Sequence, residues 1–334
     1  MVEEFFSMSD DSNLSEQNTL SPAPLGRWPA SKRKMGSGFM MPISNRSAFG
    51  GTPRFRDMLE MARVAEDAGY DIVWVPDHLI VDLESESHVL RGVWEGWTTL
   101  AALAASTSRI TIGLLVTCVG WRNPGIVAKM AESVDEISDG RFILGLGAGW
   151  HEPEYRMFGF PFDYRVSRFD DAVRIIQPLV RYGHVDYQGE YFQANHAVNW
   201  PRGPRAAEGG PPIMIGTKGP RMMKLTVEFA DSWNSDWAKN PSEIRPMLDA
   251  LDAACAEAGR DPATLPRSSG SNIAMPGYLG RRANPITGTT EQMAEAVSAF
   301  RAAGMIHHVA GLDPCTPASL EHYARVVEIL DRTE

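Results

Sequence analysis

From Gly38 to near the C-terminus the chain alternates short apolar runs with amphipathic stretches, and it does so eight times. The runs are GFMMPI (38–43), DIVWVPD (71–77), RITIGLLVT (109–117), RFILGLGAG (141–149), PPIMIGT (211–217), DSWNS (231–235), SSGSNIAM (268–275) and MIHHVAGL (305–312). Helical spacing follows each run. After the first, for example, Leu59, Ala62, Ala65 and Ala68 fall on one face and Gly69 stops the helix. Pro124 stands at a first helical position, where a missing N–H costs nothing. Strands that are apolar along their whole length are buried on both faces, as in a parallel sheet covered by helices. Eight such units predict a single (β/α)8 barrel. The competing architecture is a doubly wound open sheet. It would carry a glycine-rich dinucleotide turn after its first strand, and GFMMPISNRSAFGG is a poor match.

The alternation assigns residues 37–334 to the barrel, with insertions at 184–210 and 277–288. The first predicts a small hairpin turning at Gln188–Gly189, and the second a lid-like segment. Residues 1–36 are polar and punctuated by Ser and Pro, and they read as a mobile extension. Three widely spaced cysteines, Cys118, Cys255 and Cys315, give neither a disulfide scaffold nor a thiol-rich zinc site. They point to a reducing cytoplasm. No apolar run reaches the roughly 20 residues of a membrane span, and the acidic N-terminus is unlike a signal peptide. A net charge of -10 argues against a nucleic-acid partner.

A barrel places its chemistry at the C-terminal ends of its strands, which selects a short set of positions. The sharpest is the pair Asp77 and His78, since an imidazole near its pKa suits proton transfer. His307 and His308 are adjacent on a strand, so they point to opposite faces and cannot share a metal. No ligand cluster for zinc or iron is evident. The turn IGTKGPRMMK places Lys218, Gly219 and Arg221 at a helix start, where free N–H groups favour a phosphate. In GLGAGWHEPEYRMFG the glycines at 145, 147 and 149 allow two readings: close approach of a flat ring to the backbone, or packing inside a crowded barrel. Trp97, Trp121, Trp150 and Tyr278 suggest an aromatic mouth.

Taken in order, AEDAGYDIVWVPDHL (65–79), TTLAALAASTSRITIGLLVT (98–117), NPGIVAKMAESVDEISDGRFILGLGAGWHEPEYRMFGFPF (123–162) and PPIMIGTKGPRMMKLTVEFADSWN (211–234) resemble the luciferase-like monooxygenase superfamily. The likeness runs from about residue 38 to 331. It implies a barrel that binds reduced flavin or the deazaflavin F420 at its mouth. It also implies a non-prolyl cis peptide at the end of strand three, at Leu115-Val116, with Thr117 beside it. On this resemblance Asp77, Leu115, Val116, Thr117, Ala148, Gly149, Glu154, Arg168, Lys218, Gly219 and Arg221 fall at cofactor-binding positions. His78 matches the active-site histidine of F420-dependent dehydrogenases. The sequence departs from the family at two places. Trp150 stands where those dehydrogenases carry a proton-donating glutamate, and Ala148 where luciferases carry a flavin-phosphate arginine.

The Asp-His pair and the compact barrel favour F420-dependent hydride transfer to or from a small organic substrate. The alternatives are a two-component monooxygenase using FMNH2 from a separate reductase, and a non-catalytic flavin-binding barrel. The family further implies a homodimer.

Overall fold

The computed structural model describes residues 27–29, 31–81 and 90–333, with the backbone alone at Asp236. Eight parallel strands form the central sheet: β1 (Gly36–Met40), β2 (Ile72–Val75), β3 (Thr111–Leu114), β4 (Phe142–Gly147), β5 (Ile213–Gly216), β6 (Ser232–Trp237), β7 (Arg267–Ala274) and β8 (His307–Asp313). Consecutive strands pair in parallel from β1 through to β8. β8 then pairs with β1, and the sheet closes into the predicted barrel. Around it lie α1 (Phe55–Asp67), α2 (Gly96–Ser106), α3 (Pro124–Ile137), α4 (Arg165–Tyr182), α5 (Pro220–Phe229), α6 (Arg245–Ala258), α7 (Thr290–Ala302) and α8 (Pro317–Arg332). A short helix, Glu152–Phe158, precedes α4.

Helix starts follow the sequence closely. The Glu95 carboxylate accepts from Trp97 and Thr98 N–H at the head of α2, and Asn123 caps α3 ahead of Pro124. Thr289 and Gln292 form a capping box on α7. The insertion after α4 contains the expected antiparallel hairpin, His184–Gln188 with Gln193–Val198. Among the described residues no helix is long and apolar enough to cross a membrane.

Most of the core lies between strands and helices, and a smaller core fills the barrel itself. In the latter, Met40, Ile143, Met214 and Val309 cluster with Ile72 and Trp74. Trp74 Nε1 donates to His307 Nε2 at 2.9 Å, and Gly113 leaves room for the Trp74 ring. His308, the next residue, faces the other way, its Nε2 3.0 Å from Ser271 Oγ and its ring against Phe300. The opposed orientation of the two histidines is the one their spacing predicts.

The extension departs from expectation at its C-terminal end. Its first 26 residues lie outside the described ones. Residues 27–29 and 31–36 pack across the bottom of the barrel. Trp28 sits 6.4 Å from Trp74 and 5.5 Å from His307, ring to ring. Arg27 donates to the carbonyls of Glu208 and Gly210 and pairs with Asp231. Arg33 bridges Asp71 and Asp331. Composition does not show this, because a few anchoring side chains, and not an apolar period, hold the segment.

Asp231 is fully buried and joins Arg27, the almost fully buried Arg181 and the backbone N–H of Ile213. Burial pulls the Arg181 guanidinium down to about 10 despite that partner. Removing one member of a buried pair leaves the other charge uncompensated. Asp231→Ala should therefore cost about 3–5 kcal/mol in urea denaturation, and a loss below about 1 kcal/mol would contradict the arrangement. A second expectation concerns acid. Burial holds His307 down to about 3, and Trp74 already donates to its Nε2. Between about pH 6.5 and that value the unfolded chain binds a proton that the folded chain refuses, so stability falls as pH falls. His307→Gln keeps an acceptor for Trp74, and it should lose less stability than wild type between roughly pH 6.5 and 5. Equal losses would show that His307 is not a source of the acid sensitivity.

Candidate functional site

The C-terminal mouth of the barrel is shaped by a break in its third strand. β3 ends at Leu114, and pairing with β4 resumes at Thr117–Cys118. Between them the Leu115-Val116 peptide is cis, at the position the family resemblance implies. The Val116 side chain enters a notch made of glycines. A β-carbon at Gly147 would lie 2.5 Å from Val116 Cγ2, one at Gly216 3.0 Å from Cγ1, and one at Gly145 1.9 Å from the Leu114 carbonyl oxygen. Packing thus decides between the two readings of these glycines. Gly145 and Gly147 receive the third strand and do not serve a ring's approach. Leu115 and Val116 stay partly exposed at the mouth, an apolar bulge above the inner core.

Gly149, at φ 78°, is equally committed. A β-carbon there would meet Tyr155 Oη at 2.0 Å and Cys118 Sγ at 2.7 Å. Tyr155 Oη itself donates to the Ala148 carbonyl at 3.0 Å and lies 2.8 Å from Cys118 Sγ. Within the chain, Ala148 and Gly149 pack against Tyr155. Burial pushes the Cys118 thiol up to about 12, which leaves it protonated and inert.

Asp77 and His78, neighbours in sequence, do different things. Asp77 is buried, and Arg122 clasps it with two bonds of 2.7 and 2.9 Å, while Cys118 N–H donates to it at 2.9 Å. The same guanidinium reaches Glu95 at 2.9 Å. This network ties the ends of β2 and β3 to the head of α2.

His78 remains in the mouth, its side chain 22% exposed. Its Nδ1 lies 2.6 Å from Glu154 Oε1, and Glu154 Oε2 accepts from the Leu79 N–H at 2.7 Å. Glu154 is fully buried with both oxygens engaged, so it positions His78. A carboxylate at Nδ1 fixes the tautomer with hydrogen on that nitrogen. Nε2 has no protein partner among the described residues, and the rings of Trp121, Trp150 and His151 surround the imidazole. Trp97, by contrast, is buried in the outer core beside Phe142 and does not belong to the mouth.

At the start of α5, Gly219 faces open space and Pro220 has no N–H to offer, which leaves the N–H groups of the first turn pointing outward. Arg221 lies against the head of α4, with bonds of 2.8 Å to Ser167 Oγ and 3.3 Å to Asp170. Arg168 donates to the Asp163 carbonyl and covers the Tyr191 ring. Lys218, Gly219, Arg221 and Arg168 are thus drawn to one end of the mouth, but the two arginines are engaged more fully than their sequence suggests. Thr117 Oγ1 and Trp121 Nε1 are buried polar atoms with no partner among the described residues. Both lie beside the strand break, where a ring-shaped group with polar edges would give them one. No three described His, Cys, Asp or Glu side chains are grouped to hold a metal.

The lid-like segment is pinned. Ile286 pairs with β7, and the Asp313 carboxylate accepts from the N–H groups of both Arg281 and Arg282. This brings the Arg282 side chain over the mouth. Sequence reasoning passed over Arg282, as it did Arg122, because an arginine in a loop carries no signal of where its guanidinium lands.

Residues 35–276 match the family described as luciferase-like monooxygenase. The phthiodiolone/phenolphthiodiolone dimycocerosates ketoreductase of Mycobacterium tuberculosis is 29% identical over 221 residues, 59% of this chain and 55% of its own. The F420-dependent hydroxymycolic acid dehydrogenase of the same organism is 32% identical over 209 residues, 61% and 55% of the two chains. The chain thus spans little more than half the length of these curated relatives. Among solved structures, an F420-dependent secondary alcohol dehydrogenase in complex with an F420-acetone adduct shares the fold, with a TM-score of 0.74 at 20% identity. That likeness covers 89% of this chain and 99% of the other.

The glycine notch makes its own prediction. Gly145→Ala would drive a methyl group into the Leu114 carbonyl, a backbone atom that cannot swing away. The variant should lose about 1–3 kcal/mol or more in urea denaturation, and an unchanged midpoint would show that the third strand has slack.

Proposed function

The chain belongs to the luciferase-like monooxygenase family, and we propose that within it this protein is an F420-dependent oxidoreductase acting on a small organic alcohol or carbonyl compound. The observation that carries this reading is the His78–Glu154 pair at the mouth. It presents one partnerless ring nitrogen of fixed tautomer beside an apolar bulge. The names of relatives support it, two of them a ketoreductase and an F420-dependent dehydrogenase.

F420 would supply two-electron hydride chemistry when bound. The protein's residues fit such a group. Leu115 and Val116 offer the apolar surface for a flat ring, Thr117 Oγ1 and Trp121 Nε1 lack partners, and the head of α5 with Lys218, Gly219 and Arg221 suits a phosphate. His78 Nε2 accepts a proton from a substrate hydroxyl or returns one to a carbonyl oxygen. Glu154 balances the imidazolium that forms. The rings of Trp121 and Trp150 flank the imidazole at 6.5 and 5.8 Å.

Titrating the protein with oxidised F420 and with reduced FMN, followed by fluorescence and oxygen uptake, tests the cofactor. Tight F420 binding without oxygen consumption supports the reading, and a preference for reduced FMN with oxygen-dependent turnover refutes it. His78→Ala should lower kcat by roughly 10²-fold or more while F420 affinity changes little. Glu154→Gln should shift the pH profile of kcat, because its amide no longer balances the imidazolium. If both variants retain wild-type kcat and pH profile, His78 has no part in proton transfer.

A further inference from the structure

Across the barrel from the Val116 notch, the mouth has a second and chemically opposite wall. The notch centres on β4, and β8 lies four strands away in a ring of eight, hence diametrically opposed. On that side the Arg282 side chain comes down from the 277–288 segment between β7 and β8. Its guanidinium carbon is 5.4 Å from the centre of the Trp237 ring. A β-carbon at Gly311 would lie 2.9 Å from Arg282 Nη1, and one at Gly270 2.8 Å from the Trp237 ring. The two glycines make room for this cation and its aromatic support, as Gly145 and Gly147 make room for Val116.

The guanidinium is poorly used by the protein. A guanidinium carries five N–H donors. Here Nε reaches the Leu312 carbonyl at 3.3 Å and Nη1 reaches Asn272 Oδ1 at 3.5 Å, both long. Among the described residues it forms no ion pair. The nearby carboxylate, Asp313, turns Oδ2 to the backbone N–H groups of Arg281 and Arg282, and its Oδ1 is buried without a partner. Cys315, also close, is a buried thiol pushed up to about 12 and carries no charge. Arg46 and Arg281 stand near enough to Arg91 to depress it further below its ordinary value, after burial. Arg91 and Arg281 have partners of their own, and burial holds the Arg282 guanidinium below its ordinary value. This gathering of cations is notable on a chain of net charge -10.

We infer that Arg282 is a specificity-determining residue that receives an oxyanion group (carboxylate, phosphate or sulfonate) on the substrate, with Asn272 and Trp237 holding its guanidinium in place. The substrate is then an acid that also bears the hydroxyl or carbonyl function, its charged end against β7 and β8. The assignment of that molecule as the one oxidised or reduced rests on the function proposed above, whereas anion binding at Arg282 does not.

The test uses the whole protein without added cofactor. Inorganic sulfate, inorganic phosphate and acetate are titrated by calorimetry into wild type, Arg282→Gln, Arg282→Lys and Arg221→Gln, with thermal melts to confirm folding. A site at Arg282 predicts that Arg282→Gln weakens binding of at least one anion tenfold or more, that Arg282→Lys keeps part of it, and that Arg221→Gln keeps that site. Stronger binding of acetate would mark a carboxylate substrate, and of phosphate or sulfate a phosphorylated or sulfonated one. If folded Arg282→Gln binds all three as wild type does, or if Arg221→Gln alone abolishes binding, the inference is overturned. With the cofactor present, matched alcohols with and without a carboxylate form the second arm. Loss of the preference for the acid in Arg282→Gln supports the assignment, and an unchanged preference contradicts it. Turnover of neither alcohol, with anion binding at Arg282 intact, would count against the proposed function and leave the anion site standing.

Discussion

The geometry of the mouth depends on where the Val116 side chain can go. Strand three cannot run straight to its end, because at Val116 it turns its side chain toward β4 and β5. That space exists only because positions 145, 147 and 216 lack a β-carbon. Each glycine carries an entropic cost in a strand, and three of them around one valine show how tightly the position is held. Once the bulge is fixed, so are the residues after it. Cys118 N–H is aimed at Asp77, and Arg122 is carried to where it clasps both Asp77 and Glu95. His78 follows Asp77 directly, so its backbone is anchored before Glu154 sets its ring.

The two ends of the barrel solve different problems with similar residue types. At the bottom, buried polar groups turn to one another, Asp231 to Arg181 and Arg27 and Trp74 to His307, although Arg181 Nε and His307 Nδ1 have no partner among the described residues. At the mouth, the comparable groups are held on one side and open on the other. His78 has a carboxylate at Nδ1 and nothing from the protein at Nε2, and Arg282 has two long bonds and several idle donors. A group that the fold orients without satisfying is poised for something that arrives later.

Much of this was legible in the sequence. The eight-fold alternation predicts the barrel because a strand apolar on both faces has one stable environment, between a packed interior and a layer of helices. The helix heads at Asn123-Pro124 and Thr289 follow from capping chemistry, and the placement of His307 and His308 from strand period alone. Less visible was what each polar side chain would find. Asp77 was expected in the mouth beside His78, yet one residue along a strand end reverses direction and delivers it to Arg122. Glu154, Ala148 and Gly149 sit where the resemblance implies a cofactor contact, and sequence alone does not show the partners they have within the chain, His78 for the first and Tyr155 for the other two. Residues 27–29 and 31–36 read as tail because Arg27, Trp28 and Arg33 act singly, at sequence separations that no periodic pattern records.

The central claim is that the mouth has two walls of opposite character, an apolar bulge at Leu115-Val116 for a flavin-like ring and a cationic wall at Arg282 for an acid. The most direct measurement is a crystal structure of the protein grown with oxidised F420. The account predicts the deazaflavin ring against Leu115 and Val116, its phosphate at the turn of Lys218, Gly219 and Arg221, and Arg282 left uncovered. A ring stacked on Trp237 with its phosphate on Arg282 would contradict it.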